Sequence, residues 1–359
     1  MKQILIVLPM KCLTGAEQVL FMIANKYQKE KVSLHIHFLY KGDENNSWDQ
    51  LQGANIHKTY YSQKNVRNGT LNFFGKNIFG TKQKYDIVIT SHVAITGLIG
   101  LMINLGRIRT EKFIARESTS IFLRYTGFNL LKFKIFYFLG YNQVDLHVCQ
   151  TDLMKEQFIK AKPRYKNKTI TLENPIDREM IQKTSEEPFH VQLPPDFLVS
   201  AGRMIPEKGY DILIRVFKKL KKKFPGLKLI ILGSGPLQNE LNDLVDTLKL
   251  EEDVIFPGFV SNVYPYFKKA KVCVVSSRIE GFPNVLLQMM SQNGKVVSTL
   301  CAGGIENIEG VKTAQTGNED SLQKAIEEAL LDQQDYRAVF DAFLDKRDIS
   351  NFVKVLENN

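Results

Sequence analysis

Short, wholly apolar runs alternate with helix-length amphipathic segments along most of this chain, and that alternation narrows the possible folds more than any other feature. Ile4, Leu5, Ile6, Val7 and Leu8 follow one another without a polar residue, the pattern of a strand buried on both faces. Residues 15–27 then carry Val19, Leu20, Met22, Ile23 and Tyr27 at helical spacing, and strand patterns return at 33–40, 85–90, 112–115 and 146–150. Such β-α alternation predicts an α/β fold with an open, mostly parallel sheet covered by helices on both faces. The pattern breaks between residues 174 and 195, where Asn174-Pro175-Ile176-Asp177 precedes a polar stretch and Pro194-Pro195. That composition marks an interdomain linker. Alternation restarts with a strand at 197–202 and a helix at 210–222, followed by strands at 227–232, 254–256, 272–276 and 295–298. Two doubly wound, Rossmann-like domains are expected, over residues 1–188 and 189–346, and 359 residues is the right length for two. Near the end, Ile349, Phe352, Val353 and Leu356 give one apolar helical face. This C-terminal helix, 347–359, is expected to return to the first domain.

Charge and cysteine usage narrow the function. Lys and Arg number 48 against 38 Asp and Glu, a net charge of +10, which favours anionic partners such as nucleic acid, an anionic membrane or phosphorylated substrates. No zinc spacing, RNA-recognition aromatic motif or helix-turn-helix pattern supports nucleic acid. A dinucleotide-dependent oxidoreductase is also disfavoured, because Gly233-Ser234-Gly235 lacks the third glycine of the fingerprint and belongs to the second domain. Cys12, Cys149, Cys273 and Cys301 are widely spaced, which fits a reducing cytoplasm. The first residues read as a strand rather than a signal peptide. Residues 94–106, interrupted by Thr96 and Asn104, are too few to span a bilayer. The chain is expected to be neither secreted nor transmembrane.

The chemistry concentrates at residues 276–288. A strand ends at Ser276, a turn holds Glu280, Gly281, Phe282 and Pro283, and a helix begins near Asn284. The end of a parallel strand feeding a helix is where α/β proteins bind phosphates, since free N–H groups and the helix dipole point there. Glu280 is placed to accept sugar hydroxyls; the plainer reading is a strand–helix connection with a solvated glutamate. Arg203 and Lys208, five residues apart after the strand at 197–202, place two cations at a strand end, one a bidentate fork and the other a point charge. On the plainer reading they form a basic surface loop. No Asp-x-Asp element occurs at a strand end, so no metal is expected.

At this point a family resemblance becomes specific. The segment Glu280-Gly281-Phe282-Pro283-Asn284-Val285-Leu286-Leu287-Gln288 resembles the E-x7-E signature, usually EGFPNVLLE, of the retaining GT-B glycosyltransferases of family four. Gly202-Arg203-Met204-Ile205-Pro206-Glu207-Lys208-Gly209 resembles that family's G-R-x-x-x-x-K-G loop, and Gly233-Ser234-Gly235-Pro236 its G-x-G-P turn. Phe256-Pro257-Gly258-Phe259 with Asn262, Thr14-Gly15-Ala16-Glu17, and Asn174-Pro175-Ile176-Asp177 match further loops in the right order. The resemblance implies a GT-B fold in which two domains face each other across a cleft. It implies sugar transfer from a nucleotide-sugar donor, UDP-linked, to a saccharide on a lipid carrier, with retention of anomeric configuration, in bacterial surface-polysaccharide assembly. Gly15, Arg203, Lys208, Gly233, Gly281, Phe282, Pro283, Asn284 and Gln288 would bind the donor. Glu280, Arg203 and Lys208 would act at the reacting centre.

Two departures matter. Position 288 is Gln where the family has its second Glu, eight residues and two helical turns beyond Glu280. Residues 114–118 lie where many members carry a histidine, and here Arg116 and Glu117 occupy that loop. Glu117 is therefore a candidate, as is His92 at the end of another strand, although a lone strand-end histidine is often only structural. These departures keep a second reading open, a catalytically silent sugar-nucleotide-binding or scaffold subunit. Residues 121–141 interleave aromatic and aliphatic side chains with Arg124, Lys132 and Lys134. That reads either as a core helix or as a helix lying on an anionic membrane, which would make the protein peripheral at the inner face of the plasma membrane. Residues 218–223 present a further run of lysines.

Overall fold

The computed structural model describes residues 1–13, 15–42, 47–118 and 127–359. Thr14 and the 121–126 part of the aromatic segment, Arg124 included, lie outside the described residues. The chain forms two compact units, Met1–Pro175 with Ile349–Asn359, and Ile176–Asp348.

The first unit runs β1 (Lys2–Met10), α1 (Gly15–Gln28), β2 (Val32–Tyr40), β3 (Ile56–Tyr60), α2 (Val66–Phe79), β4 (Gln83–Thr90), α3 (Val93–Asn104), β5 (Ile108–Glu117), α4 (Gly127–Gly140), β6 (Leu146–Cys149), α5 (Asp152–Ala161) and β7 (Thr169–Thr171). Its seven strands are parallel in the order β3-β2-β1-β4-β5-β6-β7. The apolar run of β1 pairs with both β2 and β4, and Ile4 to Leu8 have no exposed surface. Continuous hydrophobicity and central placement are the same fact seen twice. On one face of the sheet α2 to α5 bury Phe73, Ile99, Met102, Tyr137 and Phe158 in a single cluster. Helices α3 and α4 touch backbone to backbone: a Cβ on Gly100 would stand 2.0 Å from the carbonyl oxygen of Gly140.

The second unit runs α6 (Arg178–Ser185), β8 (Phe197–Ala201), α7 (Tyr210–Leu220), β9 (Lys228–Leu232), α8 (Gln238–Thr247), β10 (Val254–Gly258), α9 (Tyr264–Lys269), β11 (Val272–Val275), α10 (Asn284–Met290), β12 (Val296–Thr299), β13 (Lys312–Ala314), α11 (Glu319–Leu331) and α12 (Arg337–Asp345). Its six parallel strands are ordered β10-β9-β8-β11-β12-β13. Two core clusters flank this sheet, one including Leu213 and Phe217 of α7 and the other Leu286 and Met289 of α10.

The passage between the units lies at Pro175, so residues 176–188, given to the first domain from sequence, pack with the second. Ile181 of α6 is 4% exposed and sits in the core beside Phe267 and Phe340. Burying a side chain of this size contributes about 1.5–3 kcal/mol, and Asp177 caps the helix by accepting from Met180 N at 2.9 Å. Helix α13 (Ile349–Asn358) belongs to the first unit. Glu357 on it accepts from Lys2 at 2.6 Å and from the buried Tyr27 hydroxyl of α1 at 2.9 Å.

The run of lysines at 218–223 is largely neutralised. Lys219 pairs with Glu319 and Asp320, Lys221 with Asp253, and Lys223 with Glu327. Helix α7 also stops at Leu220, so the run is not one helical face. Among the described residues no helix is long and apolar enough to cross a membrane.

Candidate active site

In the second unit β8 and β11 are neighbours, but the chain leaves β8 toward β9 and leaves β11 toward β12, on opposite sides. The crevice outside the carboxyl ends of two such strands is where open α/β sheets hold ligands. The two loops singled out from sequence leave these two strands. Their backbones are stitched together: Ser276 Oγ donates to the Lys208 carbonyl at 2.8 Å, and Arg278 N donates to the Glu207 carbonyl at 2.7 Å. Gly209 adopts φ +63°, and a Cβ there would stand 2.3 Å from the Ser276 carbonyl oxygen, so only glycine lets the loops approach so closely.

Lys208 and Glu280 meet at the centre. Lys208 Nζ donates to Glu280 Oε1 at 2.7 Å, and Ser277 Oγ donates to the same oxygen at 2.6 Å. Glu280 N donates to the Cys301 carbonyl at 2.8 Å, which fixes the backbone. Glu280 Oε2 has no partner among the described residues and keeps its acceptor capacity. Arg203 is exposed at the end of β8, and its guanidinium has no ion-pair partner among the described residues. The arrangement thus offers an ammonium–carboxylate pair and one open carboxylate oxygen, with the Lys208 side chain running beside Gly202, the residue before Arg203. Gly233 ends β9 beside it at φ +131°, and a Cβ there would lie 2.0 Å from the Gly202 carbonyl oxygen.

Arg278 and Asp211, which the sequence reading passed over, lock the outer side. The guanidinium donates to both Asp211 carboxyl oxygens at 2.9 and 2.7 Å. Partial burial disfavours the Asp211 charge, but the arginine outweighs it and holds this carboxyl below its usual range. Nothing in a single sequence pairs positions so far apart.

Gly281 to Pro283 form the turn, with Phe282 packed against the core and Pro283 as the residue before α10. Gln288 lies one turn into α10 rather than two beyond Glu280, because helix begins only at Asn284. Its Nε2 is 3.5 Å from the Tyr264 hydroxyl.

The first unit holds the remaining candidates. Gly15 is the first residue of α1. His92 precedes α3, and its Nε2 lies 2.8 Å from Glu17 Oε1. Arg116 and Glu117 are not loop residues: β5 continues through Glu117, and both are buried. Arg116 donates to Ser91 Oγ at 3.1 Å and to Asn174 Oδ1 at 2.5 Å. The Glu117 side chain turns into the core, where Oε2 accepts from Tyr137 at 3.3 Å. Burial pushes its carboxyl up to about 7, against the opposing hydrogen bonds of Tyr141 and Tyr137 and the charge of Arg116.

Residues 182–342 match the family described as glycosyl transferases group 1. This second unit is a glycosyltransferase group 1 domain. The chain is 31% identical over 242 residues to the N-acetylgalactosamine-N,N'-diacetylbacillosaminyl-diphospho-undecaprenol 4-alpha-N-acetylgalactosaminyltransferase of Campylobacter jejuni, covering 66% of this chain and 65% of that one. It is 33% identical over 189 residues to a glycosyltransferase of Methanocaldococcus jannaschii, covering 51% of this chain and 46% of that one. The chain therefore spans between about half and two thirds of the lengths of these relatives. Anabaena Alr3699/HepE, solved with UDP and glucose, superposes over 100% of both chains with a TM-score of 0.79 at 18% identity. The fold of the chain is GT-B.

Proposed function

We propose that the chain transfers a sugar from a UDP-linked donor to a saccharide on a lipid carrier, with retention of configuration and without a metal, in the assembly of a surface polysaccharide. The observation that carries this is the second-unit crevice, where Lys208 pairs with Glu280 and its side chain runs beside Gly202, the residue before exposed Arg203. Developing charge on a departing diphosphate needs fixed cations, and the open Glu280 oxygen suits a sugar hydroxyl. Two relatives support the reaction class: the Campylobacter jejuni transferase is named for a diphospho-undecaprenol acceptor, and the Staphylococcus aureus protein CapM for capsular polysaccharide biosynthesis. HepE binds UDP and glucose. The test is a thermal-shift panel of nucleotide sugars followed by transfer to a lipid extract, with and without chelator. A ligand that binds the native state raises its stability. No shift with any donor would overturn the reading.

Gln288 favours a second reading, a silent sugar-nucleotide-binding subunit. A family Glu at this place would make charge-assisted bonds of about 1.5–3 kcal/mol to ribose hydroxyls, against about 0.5–1.5 for an amide. Gln288→Glu is expected to tighten UDP binding about fivefold, read by calorimetry, with Tyr264 as the neighbour that must yield. Unchanged or weaker affinity would remove Gln288 from the ribose site. Slow hydrolysis of a donor by the purified chain argues against the silent reading.

We also propose peripheral contact with an anionic membrane through α4. One side of this helix is core, with Tyr137 buried, whereas Leu131, Ile135 and Phe138 are exposed at 51, 51 and 82%. Those three are spaced along one stripe, flanked by exposed Lys132 and Lys134. Changing both lysines to Glu should weaken binding to anionic vesicles, at about 1 kcal/mol per cation. Cosedimentation that does not change would sink the idea.

A further inference from the structure

The first unit has a switch point of its own. Its strands β1 and β4 are neighbours, while the chain leaves β1 toward β2 and β4 toward β5. Glu17, in the first turn of α1 after β1, and His92, two residues past the end of β4 and immediately before α3, come together there at 2.8 Å although 75 residues separate them. The Glu17 side chain is 3% exposed and that of His92 30%. A carboxylate so deeply buried needs compensation. The first-turn position on α1 supplies part of it, and the buried Arg116 guanidinium, whose charge Glu17 in turn supports, supplies more.

The imidazole is unusual in what it leaves undone. His92 occupies the N-cap position of α3 yet makes no side-chain capping bond, a duty that Ser, Thr, Asn or Asp would perform. Its only side-chain partner among the described residues is Glu17. A carboxylate only accepts hydrogen bonds, so Nε2 must carry the hydrogen. The bond made by one ring nitrogen decides the state of the other. Nδ1 is then left as a lone-pair acceptor with no partner among the described residues, at the ligand-binding edge of the sheet.

We propose that Glu17 is a positioning residue for His92. It holds the imidazole as the Nε2–H tautomer, so that Nδ1 accepts a hydrogen bond from the hydroxyl of the receiving saccharide and orients it. This rests on the sugar-transfer reading above. Glu17 itself touches no substrate. The wild-type chain, labelled with 15N-histidine at alkaline pH, tests the first half directly. His92, assigned by loss of its signal in His92→Ala, should show the Nε2–H pattern, and an Nδ1–H pattern overturns the proposal.

The second half uses Glu17→Gln, since an amide can donate as well as accept and no longer fixes the tautomer. Loss of orientation should lower kcat for transfer on the order of a hundredfold, with the thermal shift produced by UDP unchanged. In the His92→Ala background the same change should cost no more than about twofold, because residues in contact are not additive. An equal loss in both backgrounds overturns the proposal. If the purified chain transfers no sugar at all, the functional reading fails, while the tautomer spectrum still decides whether Glu17 fixes His92.

Discussion

Replacing Glu280 with alanine is expected to reduce sugar transfer by at least a hundredfold while leaving the chain folded. The side chain does two things at once. Oε1 takes the Lys208 ammonium at 2.7 Å and the Ser277 hydroxyl at 2.6 Å, and Oε2 remains open. Removal therefore deletes the acceptor for the sugar and also frees Lys208 to swing. Misplacing reacting groups by about 1 Å costs on the order of a hundredfold in rate, and here two groups lose their position together. The fold should tolerate the change, because the pair is 19 and 16% exposed and the freed ammonium can reach water. Arg278 with Asp211, and Ser276 with the Lys208 carbonyl, still hold the two loops together. Initial rates of transfer, compared at equal thermal midpoint, check the expectation. Near-native turnover would mean that the crevice beside β8 and β11 is not the active site.

Much of this crevice was legible in sequence because its parts are local. Strand, loop and helix are contiguous in 197–220 and again in 272–290, so apolar runs ending at Gly, Pro and charged residues mark both loops. The ten strands read from apolar runs are all present, although boundaries move by a few residues. The strands that escaped notice, β3, β7 and β13, are short, and each has a strand neighbour on one side only. Such strands keep polar residues, such as His57 and Lys58 in β3, and lack the doubly buried signature. Long-range pairing was not legible. Nothing in the sequence joins Glu17 to His92 or Asp211 to Arg278, since each pair depends on which strands become neighbours. Glu117 shows the converse error: a charged residue at a strand end reads as a loop residue, yet β5 carries its side chain into the core among Tyr137 and Tyr141.

That buried carboxyl leads to an expected pH dependence of stability. Glu117 titrates near 7 in the folded chain against 4.5 for the free side chain, and the largest cause is burial. Between those values the native state binds the proton and the unfolded chain does not. Since the slope of unfolding free energy with pH follows protons bound unfolded minus folded, this group makes stability fall as pH rises from about 4.5 to about 7. Above 7 the native state carries the full penalty of a buried charge. The difference between about 7 and 4.5 corresponds to about 3 kcal/mol. Glu117→Gln keeps the shape and the Tyr137 hydrogen bond but cannot ionise. The variant should match the parent near pH 3.5, below both values, and exceed it near pH 8 by about 3 kcal/mol, read as urea unfolding of the first unit. The opposing possibility is that Glu117 serves as a counter-charge to buried Arg116. Arg116 places its hydrogen bonds on Ser91 and Asn174, however, and its charge is the smallest of the influences on Glu117. Breaking a true buried pair would cost about 3–5 kcal/mol, so a Glu117→Gln chain that is less stable at pH 8 would show that the arginine, not burial, governs this site.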